Sequence, residues 1–116
     1  MQEKTDIKER AFQELVRVLE EAVKGKADSI ELEYEGQDLV VFYQFGNFGF
    51  GETPIPRELQ QAVIGEIVDR AHLARKCKGK MRVTLLENEY DVTVEEYDSF
   101  GDSAFTLKLK KKKGNT

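Results

Sequence analysis

One cysteine and one histidine in 116 residues leave little material for covalent or metal chemistry. Cys77 alone cannot form an internal disulfide or an all-cysteine metal site, and His72 alone offers little to zinc. No apolar run approaches the roughly 20 residues of a membrane span. The amino terminus, MQEKTDIKER, is too charged for a signal peptide. The expectation is a cytoplasmic chain without membrane insertion. A phosphate-cradling loop, G-x-x-x-x-G-K-[ST], is also missing. The only Gly-Lys pairs, Gly25-Lys26 and Gly79-Lys80, are followed by Ala27 and Met81, and neither has a glycine five residues before it. Gly49 and Gly51 form part of a dinucleotide fingerprint, but Pro54 occupies the third glycine's place. No nucleophile, base and metal set occurs together, so the chain is read as a non-enzyme with no cofactor, no metal and no catalytic residues.

With 40% hydrophobic and 34% charged residues, the composition suits a soluble globular protein, and the length suits a single domain with a packed core. Charge is spread unevenly. Five of the 18 basic residues fall in the last nine positions, KLKKKKGNT, which contain no acid. Residues 1–107 therefore hold 13 basic and 22 acidic residues, a formal charge of −9. An acidic body argues against a specific nucleic-acid partner. The lysine run reads as a solvated strand end leading into a flexible tail over 111–116.

Apolar residues at Ile7, Ala11, Leu15, Val18, Leu19 and Ala22 predict a helix over 7–24, with Asp6 and Glu9 as a capping box and Gly25 as its stop. From Ser29 the period changes to two. Ile30, Leu32 and Tyr34 alternate with Glu31, Glu33 and Glu35, and after Gly36-Gln37-Asp38 a second strand, apolar on both faces, runs to Phe45. A short third strand precedes Pro54 and Pro56, and a second helix reaches from Pro56 to about Arg75. Alternating runs centred on Val83, Val92 and Leu107 follow. A tight hairpin is expected at Glu87-Asn88-Glu89 and a longer connection over 95–103. The order predicts an α+β domain over 1–110, with a mostly antiparallel sheet of five to six strands and two helices, in the order α-β-β-(β)-α-β-β-β; the sheet and second helix occupy 28–110.

Phe42, Phe45, Phe48 and Phe50 place four of the seven phenylalanines within nine residues. They either fill a core from a central hairpin or, since alternation cannot bury all four, leave an exposed apolar patch of the kind that marks a partner site. Glu31, Glu33 and Glu35 share one strand face, which alternation explains as a solvated face. His72 reads as a lone helical imidazole and Cys77, among Arg75, Lys76 and Lys78, as an incidental thiol.

The stretches Ala27-Asp28-Ser29-Ile30-Glu31-Leu32-Glu33, Phe45-Gly46-Asn47, Gly79-Lys80-Met81-Arg82-Val83, Tyr90-Asp91-Val92-Thr93-Val94 and Phe100-Gly101-Asp102 with Leu107-Lys108-Leu109 occur in order over residues 27–110. Together they resemble the PAS-like amino-terminal domain of the type II secretion and type IV pilus ATPases. The resemblance implies a PAS-like fold and a secretion or pilus component as partner. The ATPase core of that family does not fit in 116 residues. Members of the family also use arginines of this domain to reach nucleotide phosphates. Here the corresponding positions hold Val40, Phe42, Gln44 and Thr93, which supply no bidentate cation, and Arg82 stands alone. The expected function is a non-catalytic adaptor, degenerate for nucleotide contact, that binds a protein partner or itself, with a homodimer possible, through Phe42 to Phe50. The competing expectations are a small secretion-chaperone-like dimer and a ligand-sensing PAS module.

Overall fold

The computed structural model describes the backbone of residues 2–51, 54–99 and 101–112, with side chains from residue 6 onward. Its elements are α1 (Gln2–Gly25), β1 (Ser29–Glu35), β2 (Asp38–Phe45), β3 (Phe48–Gly51), α2 (Arg57–Arg70), β4 (Lys78–Leu85), β5 (Asn88–Ser99) and β6 (Asp102–Lys111). The class is α+β. Six antiparallel strands run β3-β2-β1-β6-β5-β4 across one sheet. Each half of the chain builds a three-stranded meander, and β1 and β6 join the two through the pairs Ile30–Leu107, Glu31–Thr106 and Leu32–Phe105. α2 carries the chain from the β3 edge to the opposite, β4 edge.

Residues directly opposite each other in an antiparallel ladder share a face. Ile30 and Leu32, Leu39, Val41 and Tyr43, Val92 and Val94, and Phe105 and Leu107 thus form one apolar face, all of it buried beneath Leu15, Leu19, Val63 and Ile67 of the helices. The Tyr43 hydroxyl donates to the Val18 carbonyl of α1 at 3.4 Å, which identifies the helix-covered side. Each fully buried Leu, Ile, Val or Phe contributes about 1.5–3 kcal/mol, so this face carries the fold.

α1 begins before the apolar stripe does. The apolar stripe starts at Ile7, itself 36% exposed, and burial begins at Ala11, but nothing in residues 2–6 breaks a helix. Asp6 and Glu9 therefore lie inside α1, and the expected capping box does not form there. Both helices end in the same way. Ala27 N–H bonds the Ala22 carbonyl at 2.9 Å and Lys26 N–H the Val23 carbonyl; Leu73 N–H bonds the Val68 carbonyl at 2.9 Å and His72 N–H the Asp69 carbonyl. These are paired six-to-one and five-to-two closures around a left-handed residue. That residue is Lys26 (φ 60°) in one and His72 (φ 57°) in the other, not the expected Gly25. α2 accordingly stops at Arg70, short of Arg75, because Ala71 and Leu73 owe their burial to the turn after the helix.

The longer connection expected over 95–103 is instead a hairpin. β5 pairs with β6 as far as Ser99–Asp102, leaving two residues for the turn, and Phe100 lies outside the described residues. Glu95, Glu96 and Asp98 interrupt the apolar signal without interrupting the ladder. At the other end, Lys111 closes β6 and Lys112 N–H bonds the Glu89 carbonyl at 2.9 Å; residues 113–116 of the lysine-rich end lie outside the described residues.

One feature of the helix pair has no counterpart in the sequence pattern. Glu66 of α2, only 3% exposed, accepts from Lys8 at 2.8 Å and Arg70 at 3.0 Å, and the Arg70 guanidinium lies 3.7 Å over the Phe12 ring. Burial pushes the Glu66 carboxyl up, but the hydrogen bonds from Lys8 and Arg70 and their charges outweigh it and hold it below the usual carboxylate range.

Candidate functional site

The four phenylalanines of the β2–β3 hairpin divide between the two faces of the sheet. Phe42 opposes Glu31 on one side and Gly51 on the other, so it stands on the face away from the helices. It is half-buried, and its ring lies over Gly51, where an added Cβ would come within 3.1 Å. Gln44 covers Gly49 in the same way, at 3.2 Å. Neighbouring side chains of β2 thus pack closely over both outer glycines of β3. Phe45, Phe48 and Phe50 stand on the helix side. Phe45 is half-buried, next to Gly25 at the end of α1. Phe48, which opposes Phe45, and Phe50, which opposes Tyr43, are 65% and 57% exposed.

The helices cover the core only as far as β2, so β3 projects beyond them. The turn Gly46-Asn47, with φ 61° at the glycine, sets Phe48 opposite Phe45. The Gly46 N–H donates to the Asp28 carboxylate, which ties the hairpin to the segment after α1. The result is an uncharged edge strand, Phe-Gly-Phe-Gly, whose two aromatic rings continue the core face into solvent. Edge strands present unpaired backbone groups, and β3 itself carries no charged side chain among them. Chemically this arrangement can pair with another strand and bury two rings.

The outer face differs from a uniformly solvated one. Glu31 and Glu33 are half-buried; the Tyr97 hydroxyl donates to Glu31 at 3.0 Å and the Ser99 hydroxyl to Glu33 at 3.4 Å, both across the buried Ala104 of β6. Burial and the adjoining Glu31 carboxylate raise the Tyr97 phenol well above its ordinary value, so it stays a donor. Glu35 alone of the three remains exposed. The positions that would carry phosphate-binding arginines, Val40, Phe42, Gln44 and Thr93, all lie on this face and are neutral. Arg82 is there too, held by Asp91 at 3.2 Å. The strand order brings Lys80 of β4 beside the carboxyl-terminal lysine run and makes a basic corner. Lys80 and Lys108 flank Thr93 on either side, with Lys110 and Lys112 beyond. The alternation of Lys78, Lys80 and Arg82 is its signal, visible once β4 is known to be an edge.

His72 and Cys77 are both exposed in the connection between α2 and β4, where His72 serves as the left-handed closure. Among the described residues, no group of three or more His, Cys, Asp or Glu side chains is placed to hold a metal ion, and no helix is long and apolar enough to cross a membrane. No protein-family model matches the chain, and no curated protein matches it.

Proposed function

We propose that this domain is a non-catalytic protein-interaction module that engages its partner through the β3 edge. A single observation carries the reading: Phe48 and Phe50 stand side by side, more than half exposed, on an uncharged strand with an open edge. Leaving two phenylalanine rings in water forgoes burial worth about 1.5–3 kcal/mol each, which association with a partner recovers. The resemblance to secretion and pilus ATPase domains supports an adaptor role with a component of such a machine, or with a second copy of the chain. The neutral side chains at Val40, Phe42, Gln44 and Thr93 support a role without nucleotide contact.

A photoreactive benzoylphenylalanine placed at position 48 tests this in cells. Crosslinks to one defined protein, or to a second copy, are expected from position 48, with none from the exposed Lys76 on the other side of the molecule. Equal or absent adducts at both positions refute the reading. With the crosslinker kept at position 48, Phe50→Ser removes the adducts while leaving the urea unfolding midpoint nearly unchanged.

A further inference from the structure

The sheet's second edge is unlike the first. β4 pairs only with β5, so its other side is open along Lys80 to Leu85. Beside that open side runs a groove lined by Phe12, Val16 and Glu20 of α1 and by Arg82, Val83 and Thr84 of β4. Phe12 and Val16 are only half-buried and form its apolar wall, and Glu20 is already engaged as acceptor of the Leu86 N–H at 3.1 Å. On the outer face the same strand carries Lys78, Lys80 and Arg82 in alternation. Toward β5 these face Glu95, Thr93 and Asp91, and Asp91 bonds Arg82. Among the described residues neither Lys80, at the start of the open stretch, nor Lys78 just before it makes an ion pair.

We infer that the β4 edge and the groove beside it form a strand-addition site for an extended peptide segment in which acidic and apolar residues alternate. Three features select this occupant. The free backbone groups of β4 call for another peptide backbone, which neither a nucleic acid nor a lipid headgroup provides. A strand laid along β4 turns alternate side chains toward Phe12 and Val16, where apolar groups fit. The intervening side chains lie beside Lys80 and Arg82, where carboxylates fit, as Asp91 already does on the β5 side. A second copy of β4 is a poor occupant, because the antiparallel registers centred on the strand that keep the two outer faces together set Lys80 or Arg82 opposite another cation. The site shares no residue with the Phe48–Phe50 edge and stands or falls separately from it.

A fluorescein-labelled peptide of sequence SIELEYE, which has the required alternation, is the probe, with SIKLKYK as its charge-reversed counterpart. Anisotropy titrations of the whole chain are expected to show SIELEYE binding about tenfold or more tighter than SIKLKYK. The exposed double variant K78E/K80E is expected to reverse that preference. At saturating SIELEYE, amide exchange should slow in Lys80–Leu85 and not in Phe48–Gly51. Absence of SIELEYE binding, an unchanged preference in K78E/K80E, or protection confined to β3 overturns the inference. So does self-association of the free protein that K78E/K80E abolishes, since a second copy would then be the occupant.

Discussion

The two meanders solve the same architectural problem with opposite chemistry. β1, β2 and β3 span seven, eight and four residues, carry apolar groups on both faces at β2, and end on an uncharged edge. β4, β5 and β6 span eight, twelve and ten residues, keep their outer face charged, and end on an edge lined with Lys78, Lys80 and Arg82. Charged edges resist unplanned strand pairing, whereas a short aromatic edge invites it unless it is covered. The difference teaches that one half keeps a charged edge in solvent, while the other leaves an aromatic one there. The halves meet where both are apolar, at β1 and β6 and beneath α1 and α2.

That contrast breaks most visibly at two phenylalanines. Phe105, fully buried and opposite Leu32 at the junction of the meanders, is expected to cost about 3–5 kcal/mol when replaced by alanine, because a cavity opens where both halves pack. Phe48→Ala is expected to stay within about 0.5 kcal/mol, as for an ordinary exposed position. Urea unfolding of both variants checks this. A large loss from Phe48→Ala would place the ring in the core and remove the distinction between the two edges.

The fold was largely legible because burial imposes periodicity. The three-residue and four-residue spacing from Ile7 to Ala22 and the strict alternation from Ile30 to Tyr34 each follow from one apolar face, and patterns of this kind mark two helices and five to six strands. What burial does not write was missed. The helix closures at Lys26 and His72 depend on backbone geometry that glycine usually supplies, whereas Gly25, one residue before Lys26, does not take it. The second half of β5 carries no apolar period because its partners are polar; Tyr97 and Ser99 bond Glu31 and Glu33 two strands away, a relation that only the strand order reveals. The site was half legible. Clustering singled out Phe42, Phe45, Phe48 and Phe50, yet alternation alone could not separate Phe42, on the outer face, from Phe48 and Phe50, since the helices' reach decides exposure on the inner one. The basic edge of β4 had a clear sequence signal whose meaning depends on β4 being an edge.

A second way to sharpen the comparison acts on the seam between the helices that open the two halves. Glu66 is held ionised by Lys8 and Arg70, and its pKa is lower in the fold than in the unfolded chain. The unfolded state therefore binds the proton more readily, and stability from this group is fully present above the usual value of 4.5 and lost as pH falls through the lower, folded value. Glu66→Gln is expected to lower stability at pH 7 by about 1–2 kcal/mol, since it leaves weaker acceptors for two cations. It should also flatten the acid limb of the pH profile. Unfolding midpoints at pH 7 and pH 3 for both proteins decide it; an acid limb unchanged in Glu66→Gln would mean that other carboxylates govern the acid sensitivity.

A smaller effect than at Glu66 is expected in the turns that set strand register. In the first meander both hairpins turn at a glycine, Gly36 (φ 66°) and Gly46 (φ 61°). In the second, Leu86 (φ 50°) and Glu87 (φ 69°) close the β4–β5 hairpin, with Leu85 paired to Asn88. Two consecutive left-handed residues make a type I′ turn, which favours Asn-Gly and penalises a leucine. The turn persists because its surroundings bind it: the Leu86 N–H donates to Glu20 of α1, and the Asn88 amide donates to the Leu86 carbonyl at 3.1 Å. Both bonds involve the backbone at position 86 and survive substitution of its side chain. Leu86→Asn with Glu87→Gly is therefore expected to raise stability by about 1 kcal/mol, measured by urea unfolding. Loss of stability instead would mean that the half-exposed Leu86 side chain itself anchors the hairpin, and that the charged meander, like the aromatic one, relies on an apolar contact at its margin.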